Sequence, residues 1–371
     1  MGGPVKPGVR IGFASGDWGL GALDADGNPT LGGAGHYRMG IPAGYLSRHG
    51  VDTVLGTLIR SGISGEFGVM TWDRAHHWGC DVVVMQRWMQ RGLGDEIRKA
   101  RALGQVIVQD VDDAFWDIDP RNKAFVATHP RTNPDENIDH YRDALAASDA
   151  ITVSTPALEQ SLRFKGVETV LVRNAIDLER WVPHDVARTP VTVGWVGSQP
   201  WRSGDLETLR GAISPIIKAR GWSFHHSGHA PGCTPASTLI GLPTSTPQTM
   251  IPLVGIVDYP RVFAPIDIGL VPLADRKFNT SKSAIKGIEY AASGVPFVAS
   301  SCSPEYRWLY ETHGIGRVAT GRKGWMPHLD ALADPELRTS EGRIGRERVA
   351  TFDAAVRWTD WESVYVALLD R

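Results

Sequence analysis

The chain predicts an α/β fold built from two Rossmann-like, doubly wound parallel-sheet domains. Three observations lead there. Short continuous apolar runs, such as residues 81–85, 191–196 and 297–299, alternate with amphipathic helical stretches. That is the pattern of strands buried on both faces and joined by crossover helices. A length of 371 residues suits roughly two domains of about 150–200 residues, each able to bury its own core. Finally, the loops that leave several of the apolar runs are rich in glycine, hydroxyl and charged residues, as expected where ligands meet the carboxyl edge of an open sheet.

Composition limits the alternatives. Apolar residues make up 42% and charged residues 22%, ordinary values for a globular protein. The formal net charge of -2 gives no global pull toward nucleic acid, and the second half is slightly more basic than the first. No apolar run approaches the roughly 20 residues needed to span a bilayer. The opening MGGPVKPGVR lacks an apolar signal core, and the widely spaced Cys80, Cys233 and Cys302 do not form a disulfide framework. A cytoplasmic location is therefore expected. A polar, proline-containing segment at 183–190 marks the expected boundary between an acceptor-side domain, 1–186, and a second domain, 187–352.

Residues 9–14 open the first domain as a strand. The segment Leu31-Gly32-Gly33-Ala34-Gly35-His36 then leads into an amphipathic helix through Ala43, Tyr45 and Leu46, followed by a strand at 51–55. Glycines let a ligand approach the backbone and leave helix-start N–H groups exposed, so Gly33 and Gly35 are candidate contacts. The spacing is not that of a dinucleotide GxGxxG, and a tight turn would use the same residues. The loop at 56–74 is of the kind that builds an acceptor site. After the strand at 81–85 and a polar helix, a strand at 105–109 ends in Asp110-Val111-Asp112-Asp113. Crowded carboxylates raise one another's pKa, which can equip one of them for proton transfer or let the group hold a divalent cation; polar contact with an acceptor or donor sugar is the expected role, with Asp112 the candidate. Alternatively Asp112 and Asp113 cap the next turn and pair with Arg121 or Lys123. Strands at 150–153 and 169–172 flank a helix that starts at Thr155 with Pro156 in its first turn.

The second domain begins with a strand at 191–196 and the loop Gly197-Ser198-Gln199-Pro200-Trp201-Arg202-Ser203-Gly204, followed by a helix through Leu206, Leu209 and Ile213. A glycine turn with a basic residue between strand and helix suits phosphate. His76, His77 and Cys80 form one loose cluster, and His225, His226, His229 and Cys233 another. The latter fall on one strand and its exit loop, where neighbours alternate faces, so a four-ligand zinc site is not expected. Residues 266–301 form a strand, loop, helix, strand unit: an apolar run at 266–273, then Phe278-Asn279-Thr280-Ser281-Lys282-Ser283, a helix with Ser281 as N-cap, Gly294 as its stop, and a strand at 297–299. Hydroxyls, backbone N–H groups and the Lys282 ammonium together make a phosphate site, with Asn279, Ser281 and Ser283 beside it and Lys286 one turn on. Glu289, among small and apolar neighbours near the helix end, calls for a partner such as a ribose diol; a solvated helix face bearing Lys282, Lys286 and Glu289 is the alternative.

The segment DIGLVPL, FNxxKSxxKxxEYAAxGVPFVAS resembles the donor-binding segment of retaining GT-B glycosyltransferases of the group 1, family 4 type. Glu289 matches the second of that family's two Glu residues, which binds the nucleotide ribose. Ser281 stands where the first Glu would be, as in a bacterial and phage-like subgroup. The resemblance implies two domains facing a cleft, with a final helix, 353–371, crossing back onto the first domain, and transfer of a sugar from a nucleoside diphosphate sugar with retention and without a metal or other cofactor. It implies a diphosphate clamp of Arg202 and Lys282, contacts from Gly33, Gly35 and Ser198, and His229 near the nucleotide base. The acceptor it leaves open: glycan, protein or modified DNA. Other readings are an inactive GT-B module that binds a glycan or protein, a DNA-modifying transferase, and a nucleotide-sugar epimerase.

Overall fold

A computed structural model describes residues 8–23, 29–57, 79–164, 166–202 and 204–370. Most of the expected acceptor loop, together with Ser203, His76 and His77, lies outside these residues. The chain divides into two compact units. The first comprises Met1–Ile118, Ala124–Ala175 and Ala354–Arg371; the second comprises Asp119–Lys123 and Ile176–Asp353.

The first unit is built on six parallel strands: β1 (Arg10–Ser15), β4 (Asp52–Thr57), β5 (Val82–Gln86), β6 (Val106–Val111), β7 (Ala150–Val153) and β8 (Glu168–Leu171). Their spatial order is β4-β1-β5-β6-β7-β8, and a small antiparallel pair, β2 (Trp18–Leu23) and β3 (Pro29–Leu31), follows β1. Val82 to Met85 are buried without alternation, as a strand covered on both faces requires. One face packs Met85, Val83 and Ile107 against Leu93, Ile97 and Ala100 of the helix Leu93–Ala102 and Ala144 of the helix Ile138–Ala147. Thr155 caps the helix Pro156–Ser161 by accepting from the Leu158 N–H at 3.2 Å. The helix Ala354–Ala367 also lies in this unit: Trp358 stacks on His49 at 3.8 Å and Tyr365 meets Phe13 edge-on at 5.7 Å.

The second unit carries β9 (Thr192–Val196), β10 (Ser223–His229), β11 (Gln248–Pro252), β12 (Ile268–Val271), β13 (Phe297–Ser300) and β14 (Arg317–Ala319), all parallel, in the order β11-β10-β9-β12-β13-β14. Its core joins Val193, Trp195, Ile268, Leu270 and Val298 of the sheet to Leu209, Ile213, Ile217 and Trp325. The single helix expected through Leu206, Leu209 and Ile213 is instead a 3-10 turn, Leu206–Leu209, and a separate helix, Ser214–Arg220. Gly211 lies between them at φ 68, a conformation no helix interior holds, and Pro215 restarts the helix in its first turn. The segment 183–190 belongs to this unit: the Arg188 guanidinium binds Asp267 at 2.8 Å and Arg338 donates to the Val186 carbonyl at 2.9 Å. Among the described residues no helix is long and apolar enough to cross a membrane.

Candidate functional site

In the second sheet the chain turns one way from β9, to β10 and β11, and the other way from β12, to β13 and β14. The loops leaving the carboxyl ends of β9 and β12 therefore lead in opposite directions, which makes this the topological switch point at which open α/β sheets bind ligands. One of these loops carries Ser198 and Arg202, the other Asn279, Ser281 and Lys282. Six sequence-predicted residues thus come from two loops at one place on one sheet edge, Ser283 being the sixth.

The helix Ile285–Ala292 is fixed over that edge by Tyr290. A Cβ on Gly269 would stand 2.6 Å from the Tyr290 ring, and the Tyr290 hydroxyl donates to the Gly194 carbonyl at 3.1 Å. This close seating carries Glu289 inward, leaving it 2% exposed. Its Oε2 accepts from the Tyr259 hydroxyl at 2.9 Å and from Lys286 Nζ at 2.5 Å. Lys286 also donates to the Tyr259 oxygen, and its ammonium sits 4.9 Å from the Tyr259 ring centre. Burial lowers the Lys286 pKa, Glu289 opposes the shift, and the like charge of Arg202 adds to it. Lys282, 9% exposed, lies 4.0 Å from the Phe278 ring centre. The alternative of a solvated helix face bearing surface charges does not hold, because Lys282 and Glu289 are buried and Lys286 is half-buried against them.

Asp205, absent from the sequence expectations, organises the floor of the site. It is buried and accepts from the Ala274 N–H at 2.9 Å and from Asn279 Nδ2 at 2.7 Å. Burial raises its pKa against the opposing charges of Arg202 and Lys282. Asn279 therefore ties two loops together through its amide, which also donates to the Ala274 carbonyl at 2.9 Å. Arg202 acts electrostatically on Asp205, Lys286 and Tyr306, so Arg202, Lys282 and Lys286 share one neighbourhood.

Ser281 is not an N-cap. The helix begins after Ala284 without a side-chain cap, while Ser281 ends the short helix Lys277–Thr280 and donates to the Phe278 carbonyl at 2.9 Å. The local Ser-x-x pattern is satisfied one turn too early because the loop winds its own helical turn first. Ser283 is half-buried just before the cap. His229, the last residue of β10, meets the loop after β9: its Nδ1 lies 3.1 Å from Gln199 Oε1, and Gly228 at φ 105 passes so near the Gly197 carbonyl that a Cβ would stand 2.0 Å from it. His225 and His226 are buried, and burial pushes each down to about 4 against the opposing pull of the Val262 and Gly197 backbones. Among the described residues no three His, Cys, Asp or Glu side chains converge on a metal position.

In the first unit the switch point lies between β1 and β5. Asp17 follows β1, Arg87 follows β5 and Asp112 follows β6. Arg87 grips Asp112 through Nε at 3.0 Å and Nη2 at 2.6 Å, with Asp17 at 3.4 Å and Asp113 at 3.6 Å. Its backbone φ of 61 is the one positive value outside glycine among the described residues. Burial works against the Arg87 charge, but Asp112, Asp17 and Asp113 outweigh it and the pKa is raised. Asp112 is raised as well, by burial first and then by Asp113 and Asp110, with Arg87 opposing. The expected partners Arg121 and Lys123 are not used; Arg121 pairs with Asp119. Asp110 serves a different purpose, bound to Arg38 at 2.6 Å and accepting from the Thr152 hydroxyl at 2.7 Å in the interior.

Gly33 and Gly35 lie not in a loop but in the first turn of a helical run, Gly33–Gly35, the π-turn His36–Gly40, and Ile41–Arg48. The Gly35 N–H donates to Asp17 Oδ2 at 3.0 Å, so a carboxylate of the chain itself occupies that helix start. Gly35 is buried, with Ser15 Oγ 2.8 Å from where its Cβ would be; Gly33 is exposed and faces open space.

No protein-family model and no curated protein matches the chain. Solved structures are similar to it. A glycosyltransferase from Rickettsia africae aligns with TM-score 0.63 at 10% identity, over 98% of this chain and 100% of that one. Anabaena HepE, in complex with UDP and glucose, aligns with TM-score 0.62 at 13% identity over 97% and 100%. An E. coli trehalose-6-phosphate protein bound with UDP-2-fluoro glucose aligns with TM-score 0.59 at 12% identity over 96% and 99%. The likeness is one of fold: the chain has the two-domain, Rossmann-like GT-B architecture, each domain built on a six-stranded parallel sheet.

Proposed function

We propose that the protein is a glycosyltransferase that takes its sugar from a nucleoside diphosphate sugar bound on the second unit. One observation carries this: Arg202 and Lys282, from the two loops that part at the β9/β12 switch point, share an electrostatic neighbourhood with the buried carboxylate of Glu289. Cations near a recessed hydrogen-bond acceptor fit a diphosphate joined to a ribose. The UDP and UDP-sugar complexes of the similar folds support the same ligand class.

In this reading Arg202 and Lys282 stabilise the diphosphate as it leaves, where charge develops in the transition state. Glu289 accepts from the ribose, Ser198 and Ser283 offer hydroxyls to the phosphates, and His229 lies toward the base. The acceptor oxygen bonds to the sugar C1 on the face from which the diphosphate departs, the bond from C1 to the phosphate oxygen breaks with its electrons going to the diphosphate that Arg202 and Lys282 neutralise, and the acceptor hydroxyl gives up its proton, so this reading of transfer with retention calls for no protein nucleophile and no metal. Asp112, raised and held by Arg87, is the group of the first unit assigned to the acceptor hydroxyl.

The test is thermal stabilisation by a panel of nucleoside diphosphates and nucleotide sugars. A ligand that binds only the native state stabilises by about 2.7 kcal/mol at a hundred times its Kd. One nucleotide class should raise Tm, and Glu289→Ala and Lys282→Ala should each abolish the shift. No shift with any nucleotide would overturn the donor reading. Ser281 stands where the resemblance calls for a carboxylate, and its hydroxyl donates to the Phe278 carbonyl; this favours a second reading, a donor-binding module without transfer, which binding without turnover would establish.

A further inference from the structure

We infer that Lys286 is a further diphosphate ligand held in store on Glu289, and that it changes partner when a ribose diol arrives; the inference rests on the donor reading above. Glu289 Oε2 already receives two hydrogen bonds from the chain, at 2.5 Å from the Lys286 ammonium and at 2.9 Å from the Tyr259 hydroxyl, which in turn accepts from Lys286. A ribose diol would need the same carboxylate. Lys286 is therefore the occupant a nucleotide has to move.

Two features make that move favourable only for the right ligand. The ammonium sits half-buried against Tyr259 and Phe263, 4.9 and 5.8 Å from their ring centres, and feels the repulsion of Arg202. Glu289 is the charge that holds it there. When ribose hydroxyls donate to Glu289, that hold weakens. A diphosphate bound at Arg202 simultaneously turns the repulsion on that side into attraction. Both effects drive the ammonium from carboxylate to phosphate at the end of a flexible four-carbon stem.

The consequence is a coupling of the two halves of the ligand. A nucleoside without phosphates must compete with Lys286 and offers it no new partner. Pyrophosphate without a ribose leaves Lys286 on Glu289. A nucleoside diphosphate satisfies both conditions, so Lys286 determines specificity as well as affinity.

Calorimetric titration of the full chain with uridine, adenosine and guanosine and with their diphosphates tests this. Lys286→Met should strengthen nucleoside binding about threefold or more, because the incumbent is gone, and weaken diphosphate binding about tenfold, because a charged ligand is lost. Opposite signs are the diagnostic, since general damage weakens both ligands. Equal weakening of nucleoside and diphosphate, or an unchanged nucleoside affinity, would overturn the inference. If Lys286→Met does not fold, Lys286→Gln, which retains a hydrogen bond but no charge, should shift both affinities in the same two directions. Absence of binding by every ligand to the wild-type chain would sink the donor reading and this inference together, and is recognised before any substitution is made.

Discussion

Arg87 shows how much a single residue can be asked to hold. Its left-handed backbone costs on the order of 1 kcal/mol, and its guanidinium faces three carboxylates from the loops after two other strands. Deleting the cation leaves Asp112 buried against Asp113 without compensation. Arg87→Ala should therefore lower the stability of the first unit by about 3 kcal/mol at neutral pH. The pH dependence gives the sign: without Arg87 the folded-state pKa of Asp112 rises further above its unfolded value, so the folded state binds the extra proton and the variant loses stability as pH rises. The gap to wild type should narrow between pH 7 and pH 5 in urea titrations, and Arg87→Met with Asp112→Asn should recover much of the loss. A gap that stays constant would show that the carboxylates are not what Arg87 holds. Glycines give a second contrast. Gly33→Ala places a methyl in open space on a helical turn and should stabilise by roughly 0.5–1 kcal/mol. Gly35→Ala meets Ser15 Oγ at 2.8 Å and the Asp17 carbonyl at 2.9 Å and should cost about 1–3 kcal/mol. Urea midpoints of the two variants, moving in opposite directions, check both.

What the sequence disclosed followed from whether the physics is local to an element. The strands Thr192–Val196, Ile268–Val271 and Phe297–Ser300 were legible as continuous apolar runs because a parallel strand is buried on both faces. The helix carrying Glu289 was legible from its apolar face, and its stop from Gly294, which adopts φ 71. The helix start was not, because Ser281 and the turn Lys277–Thr280 compete for the same backbone groups. Nor was the Asp17, Arg87 and Asp112 group: it exists because β1, β5 and β6 lie side by side, and no residue near Arg87 in the chain announces that adjacency. Asp205 was hidden for a related reason. Its partners Ala274 and Asn279 lie 69 and 74 residues away, and only the β9/β12 pairing brings them within reach. This element-level join gives a prediction. Asp205→Ala removes the acceptor shared by the Ala274 N–H and the Asn279 amide, loosening the Lys282 loop, so nucleotide-induced stabilisation should fall. Asp205→Asn, which keeps a carbonyl acceptor, should retain more of it. Equal loss in both would assign the effect to charge instead of to loop position.

Over the whole molecule, acid sensitivity should divide along the two units, and the histidines of β10 decide its direction in the second. His225 and His226 are buried, and burial depresses each to about 4, from an ordinary value near 6.5. A depressed histidine binds its proton more readily when unfolded. Its contribution is therefore complete above about pH 6.5 and is lost as pH falls toward 4. Asp205 and Asp267 in the same unit are raised by burial, so they hold protons more tightly when folded and oppose the trend. The net slope of the wild-type protein mixes both signs, and a substitution separates them. His226→Phe keeps a ring against Trp195, whose centre lies 4.8 Å from that of His226, and removes the titration. Relative to wild type, the variant's second unit should gain about 2–3 kcal/mol between pH 7 and pH 4.5, the equivalent of a shift of roughly two pKa units. Because two units need not unfold together, calorimetry that resolves their transitions is the appropriate measurement. The transition of the first unit should respond to Arg87→Ala and not to His226→Phe. A second-unit transition whose pH dependence is the same in wild type and His226→Phe would show that the buried ring already finds a proton or a partner in the folded state, and the hydrophobic placement of these two histidines would lose its thermodynamic meaning.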